Sequence, residues 1–163
     1  MNNTMEMTTV MHYPSAIQKE MVEELSGYQW ERCVTLNPRP QKYGGWRYES
    51  DYAGQIAANI LTFVERVNEL VPEPCEYWFG LCQAKRREND GNTWSPDGYH
   101  SPVHVHGQIK SVSGLTNAKL VSRLKTFGFG KVVHWDGNPK WLEYVVSQTR
   151  RGEILTNIKE LQL

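Results

Sequence analysis

The chain has 163 residues, of which 39% are hydrophobic and 22% charged. This length and apolar content suit one domain with a single core that needs no disulfide bonds. Eighteen Lys and Arg residues balance eighteen Asp and Glu residues, so the net charge is zero. The chain as a whole therefore does not attract a polyanion, and any nucleic-acid site has to be a local patch of charge.

The cysteines and the N-terminus predict a cytoplasmic protein. Cys33, Cys75 and Cys82 are odd in number and contain no CxxC pair, so we expect reduced core residues. Residues 1–14 lack periodicity, a basic start and an export-length apolar run, and we interpret them as a flexible tail before a single domain at 15–163. No later stretch approaches the length of a membrane span.

A short helix and a strand open the predicted domain. Ser15 is the expected N-cap of a helix at Ala16–Leu25. A strand at Trp30–Leu36 follows, and Pro38 and Pro40 are expected to close it because proline cannot donate to the ladder.

Helices and strands alternate through the middle of the chain. Apolar residues recur every three or four positions in Asp51–Val71, which predicts one long helix. Glu76–Ala84 is rich in aromatic residues and is expected to be a strand. Val103–Val112 alternates between polar and apolar residues, which favours the neighbouring strand.

The last predicted elements complete a recognisable order. A helix through Leu120 and Leu124 is expected to end at Gly128, a strand spans Gly130–Trp135, and Pro139 begins the final helix. The central order β-α-β-β-α-β is typical of the ferredoxin-like split βαβ arrangement. It is an α+β fold with helices packed on one face of an antiparallel sheet.

Two histidines two residues apart on a strand form a candidate metal site. His104 and His106 point to one face while Val103 and Val105 point to the other, so both imidazoles can reach one cation. The alternative interpretation is a pair of solvent-facing histidines.

A third, oxygen-bearing ligand is expected from a neighbouring element. Gln83 on the preceding strand is the best placed, and Asp97, His100 and Gln148 are the alternatives. A set of two nitrogens and one oxygen suits Mn²⁺ or Mg²⁺ acting on a phosphate, and Zn²⁺ less specifically.

Three segments together resemble the HUH-class replication initiators of rolling-circle plasmids, phages and small DNA viruses. Cys33–Pro38 (CVTLNP) is similar to their first motif, and His104-Val105-His106 to their metal-binding second motif. Lys140–Val146 (KWLEYVV) looks like the helix that carries their nucleophilic tyrosine. The resemblance covers about residues 30 to 151 of the chain.

The resemblance implies a metal-dependent endonuclease that nicks and rejoins single-stranded DNA at a specific sequence. In that family the metal polarises a phosphate, tyrosine attacks it, and a 5′-phosphotyrosine and a free 3′-hydroxyl form. Tyr144 would be the nucleophile, a helicase or host replication proteins would be partners, and the site of action would be the cytoplasm, that of a host cell for a viral or plasmid protein. The alternatives are a binding module that has lost cleavage and a related tyrosine HUH transposase.

Two positions depart from the initiator pattern. Ser147 and Gln148 occupy the places where a lysine usually follows the tyrosine, and Gln83 stands where a glutamate is common. Tyrosine HUH transposases carry a metal-ligating glutamine one turn after their tyrosine, and Gln148 has that spacing from Tyr144. Tyr144 is alternatively a core aromatic residue, with Tyr99 or Tyr13 as the nucleophile.

Two basic segments are candidate DNA contacts. Cations for the phosphates and flat side chains for the bases are what a single strand requires. In the loop after the first motif, basic residues are interleaved with aromatic ones, and a second basic run leaves the strand before the histidines. The candidates are Arg39, Lys42, Arg47, Lys85, Arg86 and Arg87. The alternative for each set is an ordinary solvated loop.

Overall fold

The computed structural model describes residues 12–38, 50–83 and 103–161, without the side chains of 50–52. These residues form four helices and five strands. They are α1 Ser15–Ser26, β1 Arg32–Pro38, α2 Ser50–Asn68, β2 Glu76–Cys82, β3 His104–Lys110, α3 Asn117–Leu124, β4 Gly128–His134, α4 Pro139–Gln148 and β5 Thr149–Thr156.

The five strands form one antiparallel sheet in the order β4-β1-β3-β2-β5. Strand β3 lies between β1 and β2, so it splits the β1-α2-β2 unit, and it occupies the middle of the sheet. The predicted α+β class and the pairing of β3 with β2 are confirmed.

Helices cover both faces of this sheet, so the expectation that they pack on one face is wrong. Helices α2 and α3 share one core cluster with residues such as Phe79 and Val105. Helices α1 and α4 share a second cluster with Trp78 and Cys82 on the opposite face. Neighbouring residues Trp78 and Phe79 are both fully buried, as expected for a strand with a layer on each side.

Strand β5 was not predicted. It begins at Thr149, directly after the last residue of α4, and pairs with β2 at the edge of the sheet. The main-chain N–H of Gln83 donates to the carbonyl of Gln148 over 2.9 Å, which ties this junction to the end of β2. Arg150 is buried on β5 with its Nε 3.3 Å from Oε2 of Glu153. Because buried positions of β5 carry polar residues, the sequence lacks the apolar pattern that predicts a strand.

Several predicted boundaries also shift. Pro14 occupies the N-cap position of α1 without a side-chain cap, and Ser15 is the first helical residue. Strand β1 continues to Pro38, which pairs with Gly128 of β4. Proline is tolerated there because it is the terminal residue of the strand. A Cβ at position 128 would collide with the carbonyl oxygen of Asn37, so this pairing requires glycine.

Two described residues before the predicted boundary at residue 15 contact the domain. His12 forms an isolated bridge with Arg150, and the hydroxyl of Tyr13 accepts a hydrogen bond from the N–H of Gly152. Residues 1–11 of the predicted tail lie outside the described residues.

Two further expectations concern cysteines and membranes. Cys33, Cys75 and Cys82 are free and buried, as predicted. Within the described ranges, no helix has both the length and the apolar character needed to span a membrane.

Candidate metal centre and nucleophile

Strand β3 presents the two histidines on the α4 side of the sheet. Val103 and Val105 are fully buried in the cluster with α2 and α3, so the alternating residues point the other way. His104 and His106 are half-buried, and their ring centroids lie 4.9 Å apart. The predicted shared face is confirmed, and the histidines are partly covered rather than fully solvent-facing.

Thr35 on β1 orients one of the two imidazoles. It is the register partner of His106, and its Oγ1 lies 3.0 Å from Nδ1 of that ring. With Nδ1 engaged by the hydroxyl, Nε2 remains for another ligand. Metal-binding histidines characteristically use their second nitrogen in such a bond, which fixes tautomer and orientation. In the sequence, Thr35 appeared only as part of the CVTLNP motif. A hydroxyl residue on a strand that pairs with the histidine strand is the feature that indicates such a partner, and this pairing becomes visible only in the structure.

The environment keeps His106 uncharged. Burial lowers its pKa from 6.5 to about 3, and the neighbouring His104 adds to this shift. A neutral imidazole carries the lone pair that a metal ion needs. His106 is therefore in the metal-binding form at neutral pH without having to lose a proton.

Helix α4 is anchored so that its outer residues face the histidines. Asn138 caps it by accepting from the N–H of Lys140 over 3.0 Å, and Pro139 occupies the first turn, as predicted. Leu142, Val145 and Val146 are fully buried against the sheet and α1. This packing fixes the rotation of the helix about its own axis.

Gln148, at the end of α4, contacts one histidine of the pair. Its Oε1 lies 3.3 Å from Nε2 of His104, and the residue is only 8% exposed. Two ligands bound at about 2.1 Å to one cation lie about 3.0 to 3.4 Å apart in octahedral or tetrahedral geometry. The separation of these two atoms fits a shared metal ion.

Tyr144 lies one helical turn before Gln148. It is 57% exposed, and its ring centroid is 6.2 Å from that of His106. The ring of Trp141 lies at the same distance from His106 in an edge contact. The alternative that Tyr144 is a core aromatic residue is wrong, because core residues of α4 are fully buried and Tyr144 is open to solvent.

The candidate donors are therefore the imidazoles of His104 and His106 and the amide oxygen of Gln148. Among the described residues, no three His, Cys, Asp or Glu side chains form a group able to hold a metal. An amide oxygen suits a hard cation such as Mn²⁺ or Mg²⁺. The residues present, His104, His106 and Gln148, fit the divalent metal expected from the sequence.

Gln83 is placed differently from Gln148. It is fully buried, and its carbonyl accepts a hydrogen bond from Nε2 of His12 over 2.7 Å. The side-chain amide nitrogen and oxygen of Gln83 have no hydrogen-bond partner among the described residues, which include His104 and His106. Gln148, predicted as an alternative ligand, is thus the glutamine that contacts His104.

The remaining predicted site residues lie outside the described residues, apart from Tyr13, whose hydroxyl is bonded to Gly152. Those outside are Arg39, Lys42, Arg47, Lys85, Arg86, Arg87, Asp97, Tyr99 and His100.

No protein-family model, curated protein or solved structure matches the chain.

Proposed function

We propose that the protein is a metal-dependent endonuclease that nicks and rejoins single-stranded DNA through Tyr144, in the manner of the HUH class, to initiate rolling-circle-type replication. One observation carries the proposal. A single helix brings an exposed tyrosine and a glutamine to a strand with two histidines on one face. This arrangement supports a tyrosine nucleophile next to three candidate ligands for a cation.

The chemistry accounts for this combination of residues. A phenol with a pKa near 10 is a weak nucleophile at neutral pH and needs a nearby positive charge. A divalent ion at His104, His106 and Gln148 would supply that charge and polarise the scissile phosphate. Thr35 holds His106 in orientation, and helix α4 keeps Tyr144 one turn from Gln148.

The covalent step is a transesterification. The Tyr144 oxygen forms a bond to phosphorus, the bond from phosphorus to the 3′ oxygen breaks, and the phenolic proton passes through solvent to that oxygen. One phosphodiester replaces another, so no energy source is consumed. Attack by a 3′-hydroxyl on the phosphotyrosine reverses the step and joins the strand. His106 is a poor proton acceptor here because its pKa is about 3.

Gln148 favours the tyrosine-and-glutamine version of such a site. It occupies the position where initiators usually carry a lysine, and it contacts His104. The same residue therefore explains the missing lysine and provides the third ligand. Tyrosine HUH transposases use this version of the site, so DNA transposition is the alternative function.

Incubation with Mn²⁺ and a pool of single-stranded oligonucleotides tests the proposal. We expect a covalent protein-DNA adduct that survives denaturation, with the DNA on the peptide containing Tyr144 by mass spectrometry. Tyr144→Phe should abolish the adduct while leaving oligonucleotide affinity intact. Tyr13→Phe is the matched control and should form the adduct at the wild-type rate.

Two outcomes contradict the proposal in different ways. An adduct that persists in Tyr144→Phe means that another residue is the nucleophile. Oligonucleotide binding without any adduct, with every divalent metal tried, supports the alternative of a binding module that does not cleave.

A further inference from the structure

Strand β4 carries exposed side chains beside the candidate site. Strand β4 is at one edge of the sheet. Helices α1 and α4 pack on the same face near β2, towards the opposite edge. Phe129 is 74% exposed and Val133 41% exposed on this strand. The ring of Phe129 is therefore open to contact by a ligand, and exposed aromatic rings are common contact residues in binding surfaces.

The face of the sheet that Phe129 occupies follows from its neighbours. Val132 is buried in the cluster with α2 and α3, and a Cβ at Gly130 would press against the side chain of Leu124 on α3. Side chains alternate along a strand, so Phe129, Lys131 and Val133 project from the opposite face. That is the face of His104 and His106.

Register places Lys131 in one row with the histidine site. Lys131 pairs with Thr35 on β1, and Thr35 pairs with His106 on β3. Adjacent strands are about 4.8 Å apart, so the Cα atoms of Lys131 and His106 are about 10 Å apart across the sheet. A phosphate against His106 is within reach of the ammonium group of Lys131.

Lys131 is available for such a contact. It is exposed and forms no ion pair with the residues that the structure describes. Phe129 is two residues before Lys131 on β4, about 7 Å away, and pairs with the exposed Asn37. A cation and a flat apolar ring on one open surface are the two features that bind the backbone and the bases of a single strand.

We propose that Phe129 and Lys131 form a binding strip for single-stranded DNA that leads into the site, with a base stacked on Phe129 and a phosphate on Lys131. The choice of DNA as the occupant rests on the proposed function. The charge of Lys131, and the continuity of its row with Thr35 and His106, favour DNA over an apolar protein partner. Lys131 would also supply a positive charge near the phosphate, in a site whose tyrosine helix lacks the usual lysine.

Fluorescence anisotropy with an oligothymidylate of about twelve nucleotides tests this strip. EDTA is present, so binding is measured without cleavage. Phe129→Val keeps a strand-forming residue but removes the ring, and we expect affinity to fall about 5-fold or more, while Phe129→Trp retains it. Lys131→Gln should weaken binding and reduce the slope of log affinity against log salt by about 0.7.

Matched controls lie on the other face of the sheet. Lys119 is an exposed lysine of α3 and Leu61 an exposed residue of α2. Lys119→Gln and Leu61→Ala should bind the oligonucleotide as the wild type does. A loss of affinity in these variants equal to that at β4 would show only general charge and surface effects and would overturn the assignment.

The remaining outcomes separate this inference from the proposed function. Wild-type affinity in both Phe129→Val and Lys131→Gln, or no binding by the wild type, overturns the strip. So does a dimer by sedimentation equilibrium that Phe129→Val dissociates with no change in DNA affinity, since the strip would then bind a second copy. Affinity lost at β4 in a protein that never forms a Tyr144 adduct supports the strip and contradicts only the nuclease.

Discussion

Thr35 Oγ1 and His106 Nδ1 lie 3.0 Å apart across β1 and β3. The hydroxyl holds the imidazole with Nε2 left for a metal ion. Loss of such a partner typically reduces metal affinity about 10- to 100-fold. We expect this loss for Mn²⁺ in Thr35→Val, by isothermal titration calorimetry, whereas Thr35→Ser retains the affinity.

Thr62 offers a control for that substitution. Its hydroxyl donates to the carbonyl of Ala58 within α2, on the other face of the sheet from the histidines. Thr62→Val should bind Mn²⁺ as the wild type does. Equal affinity in Thr35→Val and wild type would show that the hydroxyl does not orient the metal-binding form of His106.

Gln148 provides a second prediction about metal affinity. Its Oε1 lies 3.3 Å from His104 Nε2. Gln148→Glu replaces a neutral oxygen donor with a charged one of the same shape, so Mn²⁺ should bind more tightly, while Gln148→Leu should bind more weakly. Calorimetric titration of the three proteins measures this order. An unchanged affinity in Gln148→Leu would remove Gln148 from the ligand set.

The lowered pKa of His106 predicts a loss of stability in acid. Its pKa is about 3 in the folded chain and 6.5 ordinarily, so the unfolded state binds more protons between these values. The free energy of unfolding should therefore fall as the pH decreases from 6.5 to about 3. His106→Gln removes this contribution, and its stability should depend less on pH in that window. Urea unfolding with EDTA at several pH values tests the difference, and parallel pH profiles for both proteins would contradict it.

The N-cap of α4, the helix that carries Tyr144 and Gln148, predicts a contribution to stability. The side chain of Asn138 accepts from the N–H of Lys140, and its removal in Asn138→Ala should cost about 1 kcal/mol of unfolding free energy. Asn138→Asp keeps an acceptor and should unfold as the wild type does. Thermal and urea denaturation measure both. A stability loss in Asn138→Asp equal to that in Asn138→Ala would assign the effect to something other than the cap.

The sequence predicted those elements whose pattern is strong. The 3.6-residue period of α2 and the alternation of β3 placed a helix and the histidine strand correctly, because burial on one side imposes each period. Strand β5 was not predicted because its buried residues Thr149 and Arg150 are polar and its apolar residues are few. The second helical layer was missed although the continuous apolar run of β2 is typical of a strand covered on both faces. The expectation of one covered face came from the order of the elements instead.

The site was predicted in part for a similar reason. The histidine spacing and the one-turn separation of Tyr144 and Gln148 are local, so the sequence displays them. The contact of Gln148 with His104, and that of Thr35 with His106, join residues 44 and 71 positions apart. Such pairings depend on strand order and on the rotation of α4, which no local pattern specifies.

Helix α4 passes into β5 without an intervening loop, and β5 is hydrogen-bonded to β2. The tyrosine therefore stands on a support that is continuous with the sheet, and α4 cannot swing away from the histidines without stripping an edge strand. Under the proposed mechanism, a DNA end covalently held by Tyr144 would stay beside the candidate ligands throughout the reaction. Exchange of one strand for another must then come from movement of the DNA itself, and strand transfer should remain efficient when α4 and β2 are cross-linked.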